Sequence, residues 1–292
     1  MVNVNPKRCV FFISAFVSVA ASIFCVVTST FGQDALPLSK WSESSSRKAG
    51  TRQTLKIGNS TYGFCWIPAG EFDMGSSESE ISRGDDETLH HVKLTKGFWM
   101  LETEVTQALY WEIMESAPSR FKETKEIHDL PVERVSWFEA MKFCEKLTER
   151  LPDGVKASLP TEAQWEYACR AGTKTPFSFG SDLNGDRANC DGNSPYGTFK
   201  AGKYLGRTTP VKSYGANPWG LYDTHGNVSE WCLDYHVWAV VDPQGSDDGS
   251  YRVCRGGSWF SCARYCRSAF RLKFVPSYRG DLLGFRVILS CD

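Results

Sequence analysis

Two short segments of this chain carry the side chains whose types and spacing could do chemistry. The first, RGGSWFSCARYCRSAFR, covers residues 255–271 and places Cys262 and Cys266 among several arginines. Cationic neighbours lower the pKa of a thiol, and the resulting thiolate is both a nucleophile and a ligand for soft metals such as Cu(I). In an exported protein, the alternative is that these cysteines form a disulfide, either with each other or with distant partners.

The second segment, GLYDTHGNVSEWCLD, covers residues 220–234 and is predicted to form an oxygen-rich turn. Asp223 and Glu230 supply two carboxylates, and Gly226 lies between them in a stretch whose carbonyls are not expected to join a helix or strand. Calcium prefers a mixture of carboxylate and carbonyl oxygens of this kind. The alternative is a tight turn whose carboxylates accept hydrogen bonds from neighbouring N–H groups.

Other candidate sites are weaker. His90 and His91 could act as a base or a ligand, but adjacent residues of a strand point to opposite faces and cannot easily act on one ion. The acidic segment 76–87 lacks the spacing of a metal site and is predicted to be a solvated loop. The chain has no GxSxG, P-loop or HExxH motif, so the usual hydrolase, nucleotide-binding and zinc-protease classes lack their residues. Its 33 Lys and Arg against 34 Asp and Glu give no basic excess, so we expect no nucleic-acid partner.

The N-terminal segment is typical of a secretory signal. Lys7 and Arg8 precede an uncharged apolar run at residues 9–27, and small and polar residues follow. We expect residues 1–32 to be a cleaved signal peptide or, because the run is also long enough to cross a bilayer, a retained N-terminal anchor. Both place the rest of the chain outside the cytoplasm, as a secreted or periplasmic protein. It would meet a membrane only through this segment, if uncleaved.

Cysteine usage is interpreted in the light of this location. Two of the eleven cysteines, Cys9 and Cys25, belong to the leader, which leaves nine in the exported part. In an oxidising compartment most of the nine could pair, and an odd number leaves at least one thiol over. No pair has CxxC spacing and no histidine lies nearby in a zinc-finger pattern, so we expect no structural zinc site.

The elements that must position these residues belong to one domain. Residues 33–53 are polar and Ser-rich and predict a flexible linker, and residues 54–292 contain neither a second linker nor an internal repeat. Three helices are expected to start at the capping residues Thr106, Ser136 and Thr161. Strand-like pieces lie at 61–74, 251–254 and 283–289. The remainder is dense in Gly, Pro, Asn, Asp and aromatic residues, so the fold class is α+β with low regular secondary structure.

Seven segments occur in a recognisable order: WIPAGEFDMGS (66–76), FWMLETEVTQALY (98–110), PVERVSWFEAMKFC (131–144), LPTEAQWEYACRAG (159–172), TTPVKSYGANPWGLYDTHGNVSEW (208–231), RGGSWFSCARYCRSAFR (255–271) and LGFRV (283–287). In sequence and order they resemble the formylglycine-generating enzyme family, also called sulfatase-modifying factors. The resemblance covers residues 64–287. It implies a single C-type-lectin-like domain of the type found in these enzymes.

The resemblance also implies an activity. Active members of this family are copper-dependent oxidases, which use O2 to convert a cysteine in a Cys-x-Pro-x-Arg segment of an unfolded sulfatase into formylglycine. In those enzymes two thiols hold Cu(I) and the substrate thiol joins them. Carried onto this chain, Cys262 and Cys266 are the expected copper ligands, and Ser258 is the expected polar partner near bound oxygen.

The family's calcium loop falls on the acidic turn of this chain. The expected calcium ligands are the carboxylates of Asp223 and Glu230 and the backbone carbonyls of Gly226 and Val228. A protein or peptide substrate of the sulfatase type is the implied partner.

The chain departs from the family's pattern at the thiol pair. Counted from the GGS motif, the first active-site cysteine of the enzymes falls on Ser261, and Cys262 stands one place later. Two cysteines that form structural disulfides in the family match Cys144 and Cys169, whereas non-cysteine residues occupy the places of their partners. The alternative function is therefore a non-catalytic peptide- or glycan-binding module on the same fold, with Cys262 and Cys266 in disulfides.

Overall fold

The computed structural model describes residues 41–42, 46–122, 129–235 and 250–291, all within the unit Ala35–Asp292. The expected leader, residues 1–32, lies outside the described residues, so its cleavage and the export of the chain stay predictions. Within the described ranges, no helix is both long and apolar enough to cross a bilayer.

Three sheets organise the described part of the chain. The strands are β1 Arg52–Ile57, β2 Ser60–Ile67, β3 Gly70–Met74, β4 His90–Leu94, β5 Phe98–Leu101, β6 Val155–Ser158, β7 Ser229–Tyr235, β8 Arg252–Arg255, β9 Leu272–Phe274, β10 Leu283–Gly284 and β11 Ile288–Cys291. The main sheet has the order β1-β2-β5-β11-β6 with antiparallel neighbours, a second sheet has the order β10-β7-β8-β9, and β3 and β4 form a separate hairpin. The strand pieces are short and lie between long irregular segments, which confirms the low regular secondary structure.

The three helices begin where the sequence predicts: α1 Gln107–Met114, α2 Trp137–Thr148 and α3 Glu162–Arg170. Ser136 and Thr161 accept hydrogen bonds from the backbone N–H three residues on, and both capping boxes are formed. Such local hydrogen bonds satisfy donors that the helix itself cannot, so they can be recognised without tertiary information.

The start of the domain differs from the linker expected at residues 33–53. Trp41 is 1% exposed and packs edge-on against Phe64 and Trp99, with ring centroids 5.7 and 5.4 Å apart. Trp99 Nε1 also donates to the Trp41 carbonyl at 2.9 Å. The buried ring of Trp41 attaches this part of the polar segment to the core, because it contacts two other aromatic rings that would otherwise face water.

The expected strand at 283–289 is divided between two sheets. Its first part, β10, pairs with β7 in the second sheet, and β11 pairs with β5 and β6 in the main sheet. Arg286 lies at the crossing, is 0% exposed, and donates to both carboxylate oxygens of Glu230 at 2.6 and 2.7 Å. Between the two sheets, the buried guanidinium of Arg286 is therefore ion-paired with the buried carboxylate of Glu230 on β7.

Candidate functional site

Cys266 lies on a short 3-10 helix, Ala263–Cys266, that follows β8 and the two glycines of the GGS motif. Side chains three residues apart eclipse one another in a 3-10 helix. Ala263 and Cys266 are accordingly its two buried residues, whereas Cys262 caps the helix with non-helical backbone angles and is half-buried. The 3-10 helix therefore directs the side chain of Cys266 into the interior, whereas Cys262 is at the more exposed start of the helix.

The thiol that contacts Cys266 belongs to Cys190, and a hydrogen bond joins the two thiols. The exposed fractions of Cys190 and Cys266 are 1% and 0%, and both lie in one apolar cluster around Phe177. Cys262 presents its backbone carbonyl, 4.0 Å from Cys266 Sγ. Sequence reasoning identified two of these three thiols and missed Cys190, which lies on a distant loop.

Backbone contacts hold the two loops side by side. Asp191 N donates to Ser261 O at 2.9 Å, and Ala263 N donates to Ser194 O at 3.1 Å. Residues 191 and 262 form an isolated bridge between these contacts. The segment that follows Cys190 is therefore held beside the 3-10 helix by backbone hydrogen bonds.

The glycine pair is needed for the close approach of Cys266. Gly256 and Gly257 have φ of +92° and +72°, a left-handed conformation that glycine adopts without strain. A Cβ at position 257 would lie 2.7 Å from Cys266 Sγ and equally close to the Tyr265 carbonyl. The absence of a side chain at Gly257 therefore provides the space that the sulfur occupies.

Ser258, the expected partner of bound oxygen, is 1% exposed and hydrogen-bonds to Ser261. Its backbone N–H donates to Ser261 Oγ at 3.0 Å, and the two hydroxyl oxygens are 3.2 Å apart. Ser258 thus lies beside the residue that stands where the family's first active-site cysteine falls, rather than beside Cys262.

The arginines near the cysteines do not act as the sequence predicted. Arg267 donates to both oxygens of Glu87 at 2.7 and 2.8 Å, and Arg271 donates to both oxygens of Glu162 at 2.6 Å. The prediction of a lowered thiol pKa is wrong for Cys266: its hydrogen bond with Cys190 and its burial raise the pKa well above that of an ordinary thiol. Arg267 and Arg271 are already paired with acids, and Arg264 donates to the hydroxyl of Tyr265.

The same ion pairs correct the prediction for the acidic segment 76–87. Glu87 is 1% exposed and receives Arg267 together with the hydroxyl of Ser76, which donates at 2.7 Å. This end of the segment is therefore folded against the helix that carries Cys266 rather than solvated. The pKa of Glu87 is lowered because these hydrogen bonds outweigh the cost of its burial.

His225 positions the backbone of Cys266 and was also missed. Its Nε2 accepts from Ser178 N at 3.0 Å, so Nδ1 carries the proton that is donated to the Cys266 carbonyl at 2.7 Å. Burial lowers the pKa of His225 to about 4, which keeps the ring neutral at physiological pH. His225 is therefore a positioning residue with a fixed tautomer.

The acidic turn is formed, and its two predicted carboxylates have different partners. Asp223 has φ of +56° and accepts from Lys212 N at 2.8 Å. Glu230 is 0% exposed and is bonded by Arg286 and by Trp165 Nε1, which donates at 2.7 Å. Glu230 is therefore the anion of a buried ion pair, and Asp223 is the less constrained of the two carboxylates.

Glu104, which sequence reasoning missed, adds a third buried carboxylate. It accepts from Val228 N at 3.1 Å and from Asn227 Nδ2 at 2.9 Å. Burial raises its pKa well above the usual range, and Asp223 and Glu230 raise it further. Burial likewise raises the pKa of Asp223 to about 6. Raised pKa values mean that Glu104 and Asp223 take up a proton more readily than ordinary carboxyls; a bound divalent cation would instead favour their ionised forms.

The donor atoms present suit the two metals that the sequence suggests. A cavity of ≈10 Å³ borders Asp223 and His225, which is room for about one small ion or water. Among the described residues no three His, Cys, Asp or Glu side chains converge as a metal site, so calcium would also need the carbonyls of Gly226 and Val228.

The unpaired thiols around Cys266 are the soft donors that Cu(I) prefers.

An aromatic surface borders the thiol site. Trp259 follows Ser258 directly, and its ring lies 5.4 Å from Phe121, 5.5 Å from Phe260 and 6.5 Å from Tyr204. Phe260 is 59% exposed and Tyr204 39%. We call Phe121, Tyr204, Trp259 and Phe260 the aromatic rim; large exposed rings in one place are typical of surfaces that bind a partner.

The remaining sequence predictions have mixed outcomes. His90 and His91 lie on β4; His91 is close to Asp73, at 3.5 Å, and neither histidine is near the thiol site. The expected disulfides are not formed: none of the described cysteines is joined to another by an S–S bond. Cys144 and Cys169 belong to separate apolar clusters, where each packs as a small hydrophobic side chain.

Comparisons with known proteins agree with this fold. The family model described as "Sulfatase-modifying factor enzyme 1-like domain" matches residues 51–291. A "Formylglycine-generating enzyme" of Streptomyces coelicolor is 30% identical over 294 aligned residues, covering 80% of this chain and 91% of that protein. PvdO from Pseudomonas aeruginosa has a TM-score of 0.70 at 27% identity, covering 84% of this chain and 99% of that one. Treponema denticola variable protein 1 has a TM-score of 0.67 at 29% identity, covering 82% and 98%.

Proposed function

Because this chain belongs to the sulfatase-modifying factor family, we propose that it is an exported oxidase of the formylglycine-generating type. Its substrate would be a cysteine in an unfolded Cys-x-Pro-x-Arg segment of a sulfatase-like protein, converted to formylglycine with O2. The observation that carries the proposal is the group of unpaired thiols around Cys266, which lies beside Ser258 and the aromatic rim.

Copper at this site would be held by Cys266 and a second thiol, for which the sequence designates Cys262. When bound, Cu(I) supplies a soft site for the substrate thiol and for O2. The chain's own residues hold Cys266 in place: His225 fixes its carbonyl, and Gly257 leaves room for its sulfur. The apolar cluster around Phe177 excludes water from the inner side of the sulfur.

The aromatic rim would bind the substrate segment. Phe260 and Tyr204 present exposed ring faces beside the half-buried Cys262. Proline-containing extended segments bind to grooves lined by aromatic rings, because the proline ring is apolar and its backbone is already restricted. The proline of a Cys-x-Pro-x-Arg segment would occupy the rim while its cysteine reaches the thiol site.

Calcium would brace the neighbouring turn. The expected ligands are Asp223, the carbonyls of Gly226 and Val228, and Glu230, whose carboxylate would have to bind calcium while it remains bonded to Arg286. The surplus of buried carboxylates favours a bound cation at this turn. Its effect would be on the stability of the turn that carries His225, and through His225 on Cys266.

The second candidate function is a non-catalytic peptide- or glycan-binding module. The observation that favours it is the burial of Cys266, whose exposed fraction is 0%, together with Ser261 in the place of the family's first cysteine. In that case the aromatic rim would bind a partner, and the thiols would only pack the interior.

The two functions separate in one experiment. Copper-loaded protein is incubated in air with a Cys-x-Pro-x-Arg peptide, and the peptide is analysed by mass spectrometry and by capture with a hydrazide. The oxidase produces a peptide lighter by the exchange of a thiol for an aldehyde, and Cys266→Ala abolishes this product. Cys144→Ala is the matched control, since Cys144 is also buried but lies on the core-facing side of α2. A peptide that binds without change of mass supports the binding module and contradicts the oxidase.

A further inference from the structure

We propose that Cys190, and not Cys262, is the second sulfur ligand with which Cys266 holds Cu(I). The proposal rests on the copper site of the proposed function, although copper binding is measured without turnover. The family's first active-site cysteine falls on Ser261, which has no thiol. Cys190, on a loop more than seventy residues earlier in the chain, takes its role.

The thiols of Cys190 and Cys266 are neighbours in the interior. Cys190 and Cys266 share one apolar cluster and contact each other through their thiols. The backbone that follows Cys190 is held beside the 3-10 helix by two hydrogen bonds, from Asp191 N to Ser261 O at 2.9 Å and from Ala263 N to Ser194 O at 3.1 Å. The two sulfurs are therefore brought together by the fold itself and not by a chance rotamer of one side chain.

The 3-10 helix places Cys266, but not Cys262, on its buried side. In a 3-10 helix the side chain of residue 266 eclipses that of residue 263. Cys262 precedes this stripe as the N-cap residue, and its carbonyl oxygen lies 4.0 Å from Cys266 Sγ. Cys262 is half-buried, in contrast to the fully buried Cys190 and Cys266, so its side chain is outside the apolar cluster that the other two share.

The chemistry of the pocket also favours this pair. Thiolates select Cu(I) over harder divalent ions, and an apolar wall limits access of water and oxidants to the metal. No third His, Cys, Asp or Glu converges with this pair in the described part of the chain. Two sulfurs with no third side-chain ligand suit a monovalent soft ion better than zinc, which takes four ligands in structural sites. Cys262 is half-buried and is therefore the most exposed of the three thiols, Cys190, Cys262 and Cys266.

The test measures Cu(I) binding under anaerobic conditions, by competition with a chromophoric Cu(I) chelator. The variants are Cys190→Ala, Cys262→Ala and Cys266→Ala, with Cys144→Ala as the control. We expect one tightly held Cu(I) in the wild type. Loss of Cys190 or Cys266 should weaken binding by more than the roughly 10–100-fold that loss of an outer-shell partner costs, and loss of Cys262 should not. X-ray absorption at the copper edge should show two sulfur neighbours in the wild type and in Cys262→Ala.

A folding defect is separated from a lost ligand by a second variant, Cys190→Val, which keeps an apolar side chain of similar size in the pocket. It should bind as little copper as Cys190→Ala while keeping the thermal stability of the wild type. The proposal is overturned if Cys262→Ala loses the copper and Cys190→Val keeps it, or if the wild type binds none. If Cys190 and Cys266 hold copper but no peptide is converted, the proposed oxidase fails and this assignment stands.

Discussion

The buried pair of Glu230 and Arg286 gives the sharpest prediction about stability. Both side chains are 0% exposed, and Glu230 accepts two bonds from Arg286 and one from Trp165. Glu230→Gln keeps the shape but removes the charge, and it leaves the guanidinium buried without its counter-ion. Removing one partner of a buried pair costs about 3–5 kcal/mol. In a domain of this size 1 kcal/mol lowers Tm by roughly 2–4 °C, so the expected fall in Tm is roughly 6–20 °C.

The assay is denaturant unfolding with and without calcium, compared with Glu71→Gln, whose side chain is 63% exposed. The loss in Glu230→Gln should be present under both conditions, because Arg286 is uncompensated in both. In contrast, Asp223→Asn should cost less, since its pKa is already raised by burial, and should abolish any stabilisation by added calcium. The reasoning is refuted if Glu230→Gln unfolds within about 1 kcal/mol of the wild type, or only when calcium is removed.

Two further predictions concern the thiol site and the pH dependence of stability. Gly257→Ala places a Cβ 2.7 Å from Cys266 Sγ at φ of +72°; we expect a loss of about 1–3 kcal/mol and weaker Cu(I) binding in the chelator competition, and unchanged values of both would contradict the packing. Glu133 is 0% exposed, and burial raises its pKa to about 7. Since its pKa in the unfolded chain is about 4.3, wild-type stability should fall as pH rises through this interval, because the folded chain then holds more protons than the unfolded chain. Glu133→Gln should flatten that fall between pH values of about 5 and 8, as measured by urea unfolding; parallel curves for the two proteins would count against it.

The parts of the fold that could be predicted are those fixed by neighbours in sequence. The starts of α1, α2 and α3 depend on a side chain bonding a backbone N–H three residues later, so Thr106, Ser136 and Thr161 could be identified from the sequence. The left-handed glycines of the GGS motif are similar, because only the residue itself decides whether that conformation is accessible.

The parts that could not be predicted depend on contacts between distant loops. Cys190 meets Cys266 across 76 positions, and His225 reaches the same residue across 41, in segments without helical or strand periodicity. Glu104 reaches the acidic turn in the same way. The expected effect of the arginines on thiol pKa failed for a related reason, since Glu87 and Glu162 come from other parts of the chain to neutralise Arg267 and Arg271.

The family assignment and the site assignment therefore rest on different kinds of observation. Seven ordered segments identify the family, and the match over residues 51–291 confirms it. They do not fix the copper ligands, because Cys262 stands one residue after the position of the family's first cysteine and is not one of the buried residues of the 3-10 helix. A thiol from another loop can fill the place that the displacement leaves empty, which no comparison of the 255–271 segment alone can reveal.

The account's central claim is that the thiols around Cys266 form a working oxidation site. It is tested most directly by the yield of aldehyde per bound copper, measured with a Cys-x-Pro-x-Arg peptide in air on the wild type and on Cys266→Ala. The account predicts several aldehydes per copper in the wild type and none in the variant. Wild-type protein that carries its copper, binds the peptide and returns it with the thiol intact would contradict the claim.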